Sequence, residues 1–216
     1  MMKLLFTVVL LSLSSRVAEA QSFTWVFLNK KAHADEIPQA QLDSLMKGHM
    51  NNIQRLAREG KLIAAGPFEG GGGIFVFASK SISEVGTWLE TDPGVRAGRW
   101  TVDILPYHPL VGSICPAKEP YEMVFYTLIR FKPNVTKFNV QQAPEIMKRH
   151  DDFLKSLRAS FVVLAQGNFG ADDGGVMVLD ASINASLFEK NPAIQEGFME
   201  MELLRLYIAK GSFCEK

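Results

Sequence analysis

The chain carries two cysteines in 216 residues, which excludes a disulfide-dense scaffold and a cysteine-rich zinc module. It also lacks an excess of either charge. Lys+Arg 23 balances Asp+Glu 23, the isoelectric point is near 6.9 and no long basic run appears, so nothing favours nucleic acid or an anionic membrane surface as a partner. No apolar run reaches the roughly 20 residues needed to cross a bilayer. Missing too are a Gly-x-Ser-x-Gly elbow, a P-loop and a dinucleotide fingerprint, and no His, Cys, Asp and Glu stand at metal-ligand spacing. No metal and no cofactor is therefore expected. Gly70–Gly73 is the one glycine run, but it feeds a strand rather than a helix N-terminus and reads as a turn, not a phosphate cradle.

What is present begins with a targeting segment. Lys3, the apolar run Leu4–Leu13 and the small-x-small site Ala18-Glu19-Ala20 predict a signal peptide over 1–20, with the mature protein starting at Gln21 and exported to a periplasmic or secreted location. The remainder has an ordinary globular composition, 47% hydrophobic and 21% charged.

The chain then repeats itself. His49–Pro67 returns in worn form at His150–Asn168, and at an offset of 101 positions His49 falls on His150, Leu56 on Leu157, Ile63 on Leu164 and Gly66 on Gly167. In each copy an apolar strand (from Phe23; from Glu122) precedes an amphipathic helix, with Leu42, Leu45, Met46, His49, Ile53 and Leu56 as the first stripe and Ile146, Met147, His150, Leu154 and Leu157 as the second. Two short strands, a second helix, a capped turn (Asp92-Pro93; Asn191-Pro192) and a last strand follow. The order is β-α-β-β-α-β, the ferredoxin-like arrangement. Residues 21–107 form the first unit, the proline-rich stretch 108–120 a linker, and 121–216 a second, diverged unit. Helices cover one sheet face only, whereas Phe23–Leu28 and Val124–Ile129 are apolar on both. The free faces must therefore meet, which predicts an α+β fold in which the two units pair within one chain as a pseudo-dimeric barrel. Cys115 and Cys214 end matching Gly-Ser-x-Cys segments. An oxidising compartment favours a disulfide between them, and the sequence leaves open whether their α-carbons come close enough.

The helix bearing His49, the segment Glu59-Gly60-Lys61-Leu62-Ile63-Ala64-Ala65-Gly66-Pro67, and Asp92-Pro93 with Gly98 before the last strand together resemble the YCII-related domain. That resemblance implies a ferredoxin-like unit that dimerises into an α+β barrel, and it places His49 and Asp92 at the positions of a His–Asp site. Some relatives act as dehydrochlorinases on chlorinated hydroxyquinols.

Read chemically, His49 and Asp92 are the candidate catalytic pair, an imidazole for proton transfer and a carboxylate to orient it. His150 and Asn191 are the candidate binding pair, because Asn191 keeps the cap and lacks the charge. Since Asn and Asp cap comparably, Asp92→Asn is expected to leave stability almost unchanged. The function expected is a cofactor-free lyase or isomerase acting on a small cyclic or aromatic compound. The alternatives are an exported small-molecule binding module and a structural domain in which both histidines only pack.

Overall fold

In a computed structural model the described residues are 23–33, 36–137, 139–170 and 174–215; the expected signal peptide and cleavage site lie outside them. The first unit runs β1 (Phe23–Lys30), α1 (Gln39–Arg58), β2 (Leu62–Pro67), β3 (Gly73–Phe77), α2 (Ile82–Leu89), α3 (Pro93–Arg96) and β4 (Trp100–Gly112). The second runs β5 (Met123–Pro133), α4 (Ala143–Leu157), β6 (Val163–Asn168), β7 (Gly175–Leu179), a 3-10 turn at Ala185–Phe188, α5 (Pro192–Gln195) and β8 (Met199–Ala209). The expected helix near Ala185–Lys190 is thus only one turn. Fewer residues separate Asn184 from Asn191 than Ser81 from Asp92, and the Asn184 side chain caps the turn at once by accepting from the Ser186 N–H.

The strands make one antiparallel sheet of eight, ordered β2-β3-β1-β4-β6-β7-β5-β8. The join between units is β4 with β6, where His108 faces Asn168 and Pro109 faces Gly167. This corrects the expected linker: His108–Gly112 is strand. Its one proline, Pro109, faces Gly167 beside a register shift before Val111, the kind of bulge at which a strand accepts proline. The sheet curls until its edges meet, with Phe68 bridging Leu206 and the Glu69 N–H donating to the Arg205 carbonyl. Both seams use the glycine matched by the repeat. A Cβ on Gly66 would stand 2.5 Å from the Tyr207 carbonyl oxygen, and one on Gly167 would stand 2.6 Å from that of His108.

The sheet's two faces bury different cores. Trp25, Phe27, Tyr107, Leu128, Phe169, Leu206 and Ile208 fill the barrel, while α1 and α4 cover the outside. The last strand serves both cores. Met199 and Met201 do face the helices, but Leu203 is exposed, and Leu204, Leu206 and Ile208 on the opposite face enter the barrel.

Equivalent positions meet across the pseudo-twofold axis. Ladder registers align Thr24 with Thr127, and each hydroxyl donates to a matching carbonyl, Ser79 and Ala181. The same alignment makes Arg130 the counterpart of Phe27, and the Arg130 guanidinium lies 3.8 Å above the Phe27 ring. Arg130 also donates to Asn29 Oδ1 at 3.0 Å and to Asp103 Oδ2. Two identical chains would bring Arg onto Arg or Phe onto Phe here; fusion allows the favourable unlike pair. Beyond the far end of β4, Cys115 and Cys214 are bonded, with their α-carbons 5.1 Å apart.

Candidate functional site

In the first unit α1 carries His49 and the turn before α3 carries Asp92. Asp92 is the N-cap of α3: its Oδ1 accepts from the backbone N–H of Gly94 at 2.9 Å and of Val95 at 3.1 Å. These bonds lock the carboxylate, and His49 Nδ1 lies 2.9 and 2.8 Å from its two oxygens. Asn52, one turn along α1, donates to Oδ2 at 3.3 Å. The pair is buried, with His49 at 6% exposure and Asp92 at 0%. Burial alone would raise the Asp92 carboxyl; the His49 hydrogen bond and charge, the Val95 N–H and Asn52 outweigh it and hold the group below the usual carboxylate range. A carboxylate cannot donate, so the hydrogen between the two groups is carried by Nδ1, and in the neutral ring the lone pair is on Nε2. A chain of contacts continues outward. Asn52 Oδ1 accepts from Arg55 at 2.8 Å and from Thr91 at 3.0 Å, and Arg55 pairs with Glu59 at 2.7 Å. Trp100 and Phe75 pack on the His49 ring, at 4.9 and 5.8 Å between centroids.

The second unit repeats the frame with other chemistry. His150 Nδ1 is 3.0 Å from Asn191 Oδ1, which also accepts from the Ala193 N–H at 3.0 Å. That backbone donor fixes the amide orientation, so here too Nδ1 holds the proton. Phe153 takes the place of Asn52, and Asn191 Nδ2 is buried without a partner. Burial holds His150 below the ordinary imidazole range, against the opposing pull of Asn191 and Asp151.

Comparison with known proteins now bears on the first of these sites. The profile of the YCII-related domain matches residues 24–107, which span β1 through Tyr107 and so contain both His49 and Asp92. The first unit is a YCII-related domain. No curated protein matches the chain. Among solved structures, a candidate monooxygenase from Lactobacillus acidophilus NCFM is similar at 15% identity, TM-score 0.42, covering 87% of this chain and 93% of that one. A candidate chlorite dismutase is similar at 11% identity, TM-score 0.49, covering 88% and 96%. A heme-binding protein from Thermus thermophilus is similar at 13% identity, TM-score 0.41, covering 88% and 90%. Likenesses this distant say nothing about the chemistry of the YCII unit or its partner.

The YCII unit holds the His–Asp pair, but a cavity of about 220 Å³ lies in the other unit, between α4 and the sheet, with His150 in its wall. A broader open groove of about 740 Å³, between α1 of the YCII unit and the segment after β4, is lined by none of the four expected site residues. All three expected pairs are brought together: His49 with Asp92, His150 with Asn191, and Cys115 with Cys214. Among the described residues no cluster of three His, Cys, Asp or Glu is arranged to hold a metal ion, and no helix is long and apolar enough to cross a membrane.

Sequence reasoning missed Asn52 and Trp100. Asn52 falls three residues after His49 and four before Leu56, on the buried face, and a polar residue at that spacing was the available signal. Trp100 opens the fourth strand, where an alternating apolar pattern does not reveal that it packs on a histidine. Glu202 is half-buried and bonded to Lys132.

Proposed function

We propose that the YCII unit is the catalytic half of an exported, cofactor-free enzyme that moves a proton on a small cyclic or aromatic compound. The observation that carries this reading is the 2.8 Å contact between His49 Nδ1 and a carboxylate already held by two backbone N–H groups. It orients the ring, selects the tautomer and stabilises the imidazolium formed when Nε2 takes a proton. The proton then returns to another atom of the substrate, an isomerisation, or leaves to solvent as an anionic group departs, an elimination. Export accords with the Cys115–Cys214 bridge, which persists in an oxidising compartment.

The test is solvent exchange. A panel of small cyclic ketones and hydroxylated rings in D2O, followed by NMR, should show exchange or conversion with the wild-type protein. His49→Gln and Asp92→Asn should each slow it by on the order of a hundredfold or more, and His150→Gln should not. Equal losses at His49 and His150 would remove the proposal. A second reading, a binding module, is supported by one observation: the cavity lies beside His150, not His49.

A further inference from the structure

The cavity beside His150 lies where particular residues are exchanged between the units. In the first unit Trp100 packs on His49, and it fits only because residue 94 is glycine: a Cβ there would stand 2.6 Å from the indole. The matching residues in the second unit are Met199 and Ala193. A narrow side chain stands in place of the indole, and Met199 shares the cavity wall with Phe131, Met147 and Val176.

The polar groups were changed as well. Ala57 and Ala65 of the first unit correspond to Arg158 and Gln166. Gln166 is buried and lines the cavity. Arg158 occupies its carbonyl, donating to Oε1 at 3.2 Å from Nε and 2.9 Å from the guanidinium end. The Gln166 amide nitrogen is thereby left as a donor. His150, with its Nδ1 proton committed to Asn191, offers a bare Nε2 acceptor and is kept uncharged by burial. Among the described residues that line it, the one charged side chain is Asp151, exposed at the rim, which repels anions, and none is a cation that would attract them.

We propose that this cavity is a binding site for a small neutral molecule with an apolar body of about one ring and a single hydroxyl group, which donates to His150 and accepts from Gln166. A hydroxyl is the group that does both. Its volume, about 220 Å³, exceeds the ~150 Å³ apolar cavity known to admit benzene. The site is separate from the His49–Asp92 pair and does not rest on the catalytic reading.

Phenol and toluene, matched in size and differing in the hydroxyl, are the probes. Both are titrated into the full-length mature protein, read by the His150 ring ¹⁵N signals and by the melting temperature. Phenol should bind saturably, shift the His150 Nε2 signal, and bind roughly tenfold or more tighter than toluene, since a site built for a hydroxyl leaves its polar groups unpaired without one. Gln166→Ala should erase most of that preference. The double variant Ala193→Gly/Met199→Trp, which copies the first unit's filling, should stay folded and lose phenol binding. Toluene binding as tightly as phenol, no saturable phenol binding, or unchanged binding in a folded double variant overturns the proposal. Undiminished solvent exchange in His49→Gln with phenol binding intact would instead count against the catalytic reading alone.

Discussion

Asp92→Asn is the substitution in which the structure departs most from the expectation that Asn and Asp are interchangeable as caps. The cap itself survives: an amide oxygen at Oδ1 still accepts from Gly94 and Val95. The other oxygen becomes an NH2 group facing two donors, Asn52 Nδ2 at 3.3 Å and the His49 Nδ1 proton at 2.8 Å. Asn52 cannot turn its carbonyl inward without giving up the bonds from Arg55 and Thr91. His49 can relieve its own share by moving the proton to Nε2, which removes the lone pair that a base needs. A buried charge-assisted hydrogen bond is lost and one donor stays opposed, so we expect a loss of about 2 kcal/mol rather than near neutrality. Denaturant unfolding gives the stability, and ¹⁵N correlation spectra of the imidazole give the tautomer. The same variant should flatten the acid limb. Asp92 titrates below its ordinary value in the folded protein, so its contribution is complete above roughly pH 4 and is lost as pH falls through the lowered value. An Asp92→Asn protein within about 0.5 kcal/mol of wild type, a difference usual for an innocuous surface change, and still protonated at Nδ1 would refute this account.

Three further outcomes follow from contacts on the pseudo-twofold axis. Reduction of Cys115–Cys214, or Cys115→Ser with Cys214→Ser, should cost roughly 2–5 kcal/mol, because the bridge closes a long loop in the unfolded chain; calorimetry with and without reductant measures it. Arg130→Ala should cost about 2 kcal/mol, less than the 3–5 of a fully buried broken pair, since the Asp103 carboxylate it abandons is 43% exposed. Asp103→Asn should cost less than Arg130→Ala in the same unfolding assay.

Much of this protein was legible in one dimension. Two copies of a β-α-β-β-α-β pattern, strands apolar on both faces and a matched glycine at 66 and 167 imply two units that must cover each other, because apolar periodicity and chain order report local structure directly. The pairing of His49 with Asp92 was legible too, through motif and repeat together. What only the tertiary structure decided was everything that depends on neighbours from distant parts of the chain. Prolines marked the stretch 108–120 as linker, yet the strand continues through His108–Gly112 because β6 offers a partner, with a register shift beside Pro109. Asn191 looked like a harmless copy of Asp92, yet its amide is orphaned because Phe153 stands where Asn52 would be. The cavity beside His150 has Met199 in its wall, where the first unit packs Trp100 on its histidine. Volume is shared among side chains that meet only on folding, and no period or spacing along the chain records whether they fill it.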